Sequence, residues 1–181
     1  GCLLNDIIGV YDNANKIDYD LLPNKFVAKA IHGSGWNLIC DNKEELDWNA
    51  WKRIMNSWLK LNLYVFGREW NYKDIPRQII VEKFIVHEPL NDYKFMCFNG
   101  EPKFIQINND FEGKHYVDFY DMNWNKADFT YLGYTLSKRN LDKPTKFDEM
   151  IKLARELSKP FPYVRIDFYN LEDEIIFGEM T

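Results

Sequence analysis

The sequence predicts an α+β fold in which antiparallel sheets are covered by helices. Three observations lead there: short runs rich in Val, Ile, Phe and Tyr punctuated by turn signals, an Asn-Gly pair between two of those runs, and two stretches whose apolar residues recur at helical spacing. Its 181 residues suffice for one domain, or one and a part, with a sizeable core. Hydrophobic residues make up 46% and aromatics 17%, against 9 Gly and 7 Pro, which excludes disordered, collagenous and low-complexity classes.

In chain order, residues 25–31 (KFVAKAI) read as a strand, His32-Gly33-Ser34-Gly35 as a turn, and residues 36–40 (WNLIC) as the returning strand. Residues 43–60 place Leu46, Trp51, Ile54, Met55, Trp58 and Leu59 at helical spacing, with Asp41 or Asn42 positioned to cap. A polar, aromatic connector leads to a strand over 78–86. DYKFMCF (92–98), Asn99-Gly100 and PKFIQI (102–107) form the pattern of a two-residue hairpin, and a further strand is expected near 115–120. Residues 122–145 read as loop. Residues 146–158 put Phe147, Met150, Ile151, Ala154 and Leu157 on one helical stripe, and YVRIDFY (163–169) with IIFGEM (175–180) closes the chain as a hairpin. The expected organisation is a lead-in or remnant over 1–19, a smaller subdomain over 20–90 and a larger one over 91–181.

The net charge is −5 with Lys and Arg scattered, which argues against a nucleic-acid partner. Three widely spaced cysteines without a CxxC pair indicate neither a disulfide framework nor a zinc ribbon, so a reducing, cytoplasmic compartment fits. No apolar stretch approaches membrane-helix length and no signal peptide opens the chain, so a soluble protein without membrane insertion is expected. Starting at Gly1 rather than Met and stopping at Thr181 straight after a strand-like run, the sequence is expected to be a fragment of a longer protein.

The last hairpin is the most informative segment. A turn centred near Glu172 would set Arg165 opposite Glu179 and Asp167 opposite Phe177, gathering Arg165, Asp167, Glu179 and Thr181 on one face while Val164, Ile166, Phe168, Ile176 and Met180 pack on a core. Asp167 and Glu179 would then be diagonal neighbours able to hold one divalent cation, magnesium being the natural candidate for hard oxygen ligands. The plainer reading is a solvated ion pair of Arg165 with a carboxylate. Lys29 ahead of Gly33-Ser34-Gly35 suits a phosphate-binding loop; it is neither a Walker loop nor a dinucleotide fingerprint, since a strand follows, and an ordinary turn is the alternative. Glu82, Asp92 and Lys94 cluster around one inter-strand connection, or else are edge-strand charges. His32, His87 and His115 share no metal spacing and read as turn or surface residues, and Trp51 and Trp58 as packing residues.

Taken in order, FVAKAIHGSGWNLIC, VEKFIV, DYKFMCFNG, VRIDFY and IIFGEMT resemble the ATP-grasp superfamily, and within it the TupA-like branch associated with teichuronopeptide and other cell-surface polysaccharide biosynthesis. The similarity spans about residues 20–181. It implies an ATP-grasp fold with nucleotide held between two β layers, and ATP and Mg2+ as cofactors. By this resemblance Lys29 and the Gly33, Ser34 and Gly35 loop contact phosphates, the strand of Glu82 lies beside adenine with Lys83 and Ile85 offering backbone groups, and Asp92 holds the ribose hydroxyls. Lys94 lies nearby, facing phosphate or acceptor. Asp167 and Glu179 hold magnesium, Arg165 neutralises the transferred phosphoryl group, and Thr181 stands where many relatives carry a metal-binding asparagine.

The implied activity is an ATP- and Mg2+-dependent carboxylate–amine ligase working through an acyl phosphate on a small-molecule or glycan acceptor, with polysaccharide-assembly proteins as further partners. A kinase acting on a glycan hydroxyl uses the same clamp, and a catalytically idle nucleotide-binding assembly module is the rival from another class. Relatives are sometimes labelled glycosyltransferases, a reading ranked below the others because no nucleotide-sugar signature is read from the sequence.

Overall fold

A computed structural model of the chain describes residues 2–85, 92–171 and 174–181. It begins with two short strands, β1 (Cys2–Leu4) and β2 (Ile7–Tyr11), where the sequence reading assigned no element. The hairpin β3 (Phe26–Ala30) and β4 (Asn37–Cys40) follows. Next come helices α1 (Trp48–Trp58) and α2 (Leu63–Gly67) and strand β5 (Ile79–Lys83). The remainder is β6 (Asp92–Phe98), β7 (Glu101–Phe111), β8 (Lys114–Asp121), α3 (Phe147–Ser158), β9 (Tyr163–Asn170) and β10 (Ile175–Met180). The end of the expected 78–86 strand, His87 and the turn near Glu172 lie outside the described residues.

The chain divides into two compact units: Asn5–Val86, and Gly1–Leu4 with His87–Thr181. The first holds a four-stranded antiparallel sheet in the order β2-β5-β3-β4. Alternation along β3 and β5 buries Phe26, Ala28, Ala30, Ile79 and Val81 on one face. Helix α1 closes that face: Met55 is fully buried, and the Trp48 and Trp51 rings meet Phe26 edge-on. The expected helix over 43–60 is therefore shorter. Asp47, whose side chain accepts from the Ala50 N–H at 2.9 Å, starts it, while Asn42 caps a separate 3-10 turn over Lys43–Glu45.

The second unit holds a six-stranded sheet in the order β1-β10-β9-β6-β7-β8. Among its described pairs β1 against β10 is parallel, because the chain's first residues add to the outer side of its last strand. At the β6–β7 hairpin Asn99 and Gly100 take φ of 49° and 79°, the left-handed pair a two-residue turn requires. Tyr93, Phe95, Cys97, Ile105, Ile107, Val164, Ile166 and Phe168 are buried with Phe147, Met150 and Ala154 of α3. Residues 122–145 form no helix or named strand. They run back along β8, where Asp118, fully buried, accepts from the Ser137 N–H and hydroxyl and pairs with Lys126 at 3.0 Å.

Candidate functional site

In the larger unit three strands bring five charged groups onto the face opposite α3. Lys94 on β6 is the Cα partner of Asp167 on β9, which in turn is the partner of Glu179 on β10. One row on, Asp92 is paired with Tyr169; on the other side Met96 is paired with Arg165, whose backbone exchanges hydrogen bonds with Thr181 at 2.9 and 3.0 Å. Strand alternation fixes this grouping: residues two apart share a face, and the intervening Tyr93, Phe95, Ile166 and Phe168 fill the core.

The register of the last hairpin corrects the expectation. Asp167 stands directly opposite Glu179, and Phe168, rather than Asp167, opposite Phe177. A register shift between Phe177 and Glu179 absorbs Gly178 as an extra residue, and the carbonyl oxygen of Asp167 lies 3.0 Å from where a Gly178 side chain would begin. Before the shift, Ile175 belongs to the core cluster, Phe177 packs against it half-buried, and Ile176 is paired with Tyr169, so Ile176 does not share the core face of Phe168 as expected.

Asp167 is 2% exposed and both its oxygens are taken. Oδ1 accepts from Arg165 Nε at 2.8 Å; Oδ2 accepts from Arg165 Nη2 at 2.9 Å and from Lys94 Nζ at 2.8 Å. Arg165 Nη2 also donates to Glu179 Oε1 at 2.5 Å and to Thr181 Oγ1 at 3.2 Å. Lys94 forms a second ion pair with Asp92. The cross-strand ion pair expected of Arg165 with a carboxylate is present, to the more than half-exposed Glu179, and a second pair joins Arg165 to the buried Asp167; Asp92 and Lys94 are not edge-strand charges, since β6 lies between β9 and β7.

Two cations face three carboxylates, and the titration directions follow. Burial and the negative charge of Asp167 and Glu179 push the Asp92 carboxyl above its usual range, more than Lys94 offsets. Burial opposes the charge of Lys94, yet Asp92 and Asp167 outweigh it and raise Lys94. Arg165 is likewise held above its ordinary value, with Asp167 outweighing burial. The Tyr169 phenol, half-buried beside Asp92, is pushed up to about 12 by that burial first and by the Asp92 charge next. Tyr169 was not singled out from the sequence, although it shares the parity of Arg165 and Asp167 on their strand. The Oδ1 atom of Asp92 is buried without a donor.

The other predicted residues lie in the Asn5–Val86 unit. Lys29 and Glu82 form an ion pair at 2.6 Å on one face of the sheet, and β5 is an interior strand, so Glu82 is not an edge charge either. The main-chain groups of Lys83 are engaged: its N–H donates to Asp6 O and its carbonyl accepts from Asn5 Nδ2, both at 2.9 Å. Ile85 is half-buried. Ser34 and Gly35 are exposed, and Gly35 has a φ of 70° with open space around it. The loop is anchored at its base. Trp36 stacks over Trp58 at 6.4 Å, and the Trp36 indole lies 2.3 Å from where a Gly33 side chain would begin, which requires glycine there. His32 stands in the turn, as expected, but is 2% exposed, its Nε2–H donating to Trp58 O at 2.9 Å, so it is an internal anchor rather than a surface residue.

Among the described residues no three or more His, Cys, Asp or Glu side chains gather as a metal site. What the structure offers a cation is the oxygen pair of Asp167 and Glu179 with the Thr181 hydroxyl beside them. That donor set fits magnesium, which commonly takes one or two carboxylates and completes its shell with phosphate and water.

The family description TupA-like ATPgrasp matches residues 5–181. No curated protein matches the chain significantly. Solved structures do. The chain is similar to D-alanine–D-alanine ligase from Bacillus anthracis, with 14% identity, a TM-score of 0.58, and coverage of 98% of this chain and 51% of that one. It is also similar to N5-carboxyaminoimidazole ribonucleotide synthetase in an ADP complex (10% identity, TM-score 0.58, 100% and 41% coverage). A third likeness is to the ATP-grasp ligase PsnB bound to a minimal precursor (8% identity, TM-score 0.53, 100% and 47% coverage). The chain spans about half the length of the structures it matches, and at these identities the likeness establishes the ATP-grasp fold.

Proposed function

The chain belongs to the TupA-like ATP-grasp family, and on that premise we propose that it is an ATP- and Mg2+-dependent carboxylate–amine ligase acting in cell-surface polysaccharide or peptide-glycan biosynthesis. The observation that carries this reading is the row Lys94, Asp167 and Glu179 across three strands, with Arg165 clamped to both carboxylates. A carboxylate resists attack by an amine until one oxygen becomes a good leaving group. Transfer of the ATP γ-phosphoryl group to that oxygen forms an acyl phosphate and releases ADP. Attack of the amine at the carbonyl carbon then breaks the carbon–oxygen bond, leaving an amide, inorganic phosphate and a proton.

In this reading Asp167 and Glu179, with Thr181, hold the cation, which would neutralise phosphate charge. Arg165 and Lys94 supply fixed positive charge toward the transferred group, and Asp92, with an oxygen lacking a donor, suits a hydroxyl donor such as a ribose. Lys29 and the Gly33-Ser34-Gly35 loop serve the phosphates. Association with polysaccharide-assembly proteins belongs to the same reading. Among the described residues no helix is long and apolar enough to cross a membrane.

The test is ATP turnover by the full protein with candidate acceptors, with and without Mg2+. Asp167→Ala combined with Glu179→Ala is expected to abolish Mg2+-dependent turnover; full activity in the double variant would sink the assignment. Product analysis separates the chemistries: an amide with free phosphate supports the ligase, a phosphorylated acceptor indicates a kinase, and nucleotide binding without turnover indicates an assembly module.

A further inference from the structure

We propose that Arg165 is a resident counter-ion, occupying with its own guanidinium the oxygens that would hold the divalent cation and giving them up when nucleotide arrives. This rests on the ligase reading, which assigns Asp167, Glu179 and Thr181 to the cation. One side chain engages all three: Nε and Nη2 grip the two oxygens of Asp167 at 2.8 and 2.9 Å, and the same Nη2 reaches Glu179 at 2.5 Å and Thr181 at 3.2 Å.

The reason such a device is needed lies in the register. Carboxylates placed directly opposite each other on neighbouring strands repel, and Asp167 is 2% exposed, so water screens it little. An arginine is the suitable neutraliser. It stays charged at any physiological pH, and its planar fork matches a carboxylate bidentately, whereas a lysine is a point charge. Lys94 is already divided between Asp92 and Asp167, so it cannot also serve Glu179.

An oxygen lone pair donated to an N–H is not available to a metal, so the cation and the guanidinium compete for the same atoms. The backbone of Arg165 is fixed by its paired hydrogen bonds to Thr181, so the exchange is a side-chain movement about a stationary Cα. Released from Asp167 and Glu179, the guanidinium needs new acceptors of high negative charge, and nucleotide phosphates supply them. Cation and nucleotide binding are therefore coupled, and linkage makes the coupling reciprocal: the cation binds weakly alone, and each ligand strengthens the other.

The experiment is a Mn2+ titration of the full chain followed by electron paramagnetic resonance, with and without a non-hydrolysable ATP analogue, in wild type and in Arg165→Met. Wild type is expected to bind Mn2+ about tenfold tighter with the analogue than without. Arg165→Met is expected to bind Mn2+ alone about tenfold tighter than wild type does, with most of the analogue's enhancement gone. Unchanged or weaker Mn2+ binding by Arg165→Met alone, beside a normal nucleotide effect in wild type, overturns the counter-ion and leaves the ligase reading standing. A wild-type chain that binds no Mn2+ even with the analogue overturns both. Should Arg165→Met not fold, the wild-type Arg165 Nε–H resonance, assigned from its absence in Arg165→Lys, reports the same exchange. A shift on adding Mg2+ and ADP is expected, and an unmoved resonance under saturating nucleotide overturns the proposal.

Discussion

Lys94 and Asp167, 73 residues apart in sequence, are Cα partners on adjacent strands whose side chains meet at 2.8 Å. Lys94 also pairs with Asp92, so it is the only lysine bridging two carboxylates in this cluster among the described residues.

Replacing Lys94 by Met leaves the Asp92 carboxylate buried without its cation and should cost about 1–3 kcal/mol of stability, read by urea unfolding. Because the Asp92 carboxyl is raised above its usual range, the folded state favours its protonated form, and Asp92 weakens the fold as pH rises through that raised value. Adding Asp92→Asn to Lys94→Met should therefore restore most of the lost stability while ATP turnover remains impaired. A double variant that recovers turnover would show that Lys94 serves the fold alone.

Gly178→Ala places a methyl group 3.0 Å from the Asp167 carbonyl oxygen, a backbone atom with little freedom to move. The expected cost is about 1–3 kcal/mol. Since this bulge sets Glu179 opposite Asp167, the Mg2+ concentration needed for half-maximal turnover should rise more than the KM for the acceptor, and equal rises would argue against a cation role for the pair.

Asp118 is buried at the root of the 126–139 segment, and burial that would raise its carboxyl is outweighed by hydrogen bonds from Ser137, Lys126 and Asn109, which hold it below the usual range. Its contribution is present above the ordinary carboxylate pKa of about 3.9 and is lost as pH falls through the lower folded value. Asp118→Ala strands Lys126 and should cost about 3 kcal/mol or more at neutral pH, seen as a lowered Tm. Asp118→Asn should flatten the acid limb of stability below about pH 4.

Tyr169 titrates at about 12, raised by burial first and by Asp92 next. A raised phenol favours the neutral form in the folded state, so its contribution holds below the ordinary value of about 10 and is lost as pH rises from there toward 12. In Tyr169→Phe the alkaline decline between pH 10 and 12 should be shallower, as measured by urea unfolding at stepped pH. An identical decline would place the alkaline sensitivity elsewhere.

The local pattern carried much of this protein. Alternation in residues 26–30 and 92–98, the helical stripe from Phe147 to Ser158 and the Asn99-Gly100 turn each depend on neighbours a few residues away, and each stands where the spacing predicted. Strands β1 and β2 were not legible, being short and interrupted by Asn5, Asp6 and Gly9; they acquire their state by pairing with β10 and β5. That the turn residue His32 is buried was not legible, because its partner, the Trp58 carbonyl, is 26 residues away at the end of α1.

The same division runs through the candidate site. By itself the sequence determined which residues bear charge and, through strand parity, that Arg165 and Asp167 share a face, since side chains alternate along an extended chain whatever lies beside it. Only the tertiary structure decided that Glu179 faces Asp167 and that Lys94 completes their row. The first depends on one extra residue at Gly178, and the second on which strand lies beside β9. Register and strand order are set by long-range pairing and packing, and a one-residue slip there moves a carboxylate from one partner to another without changing the local pattern.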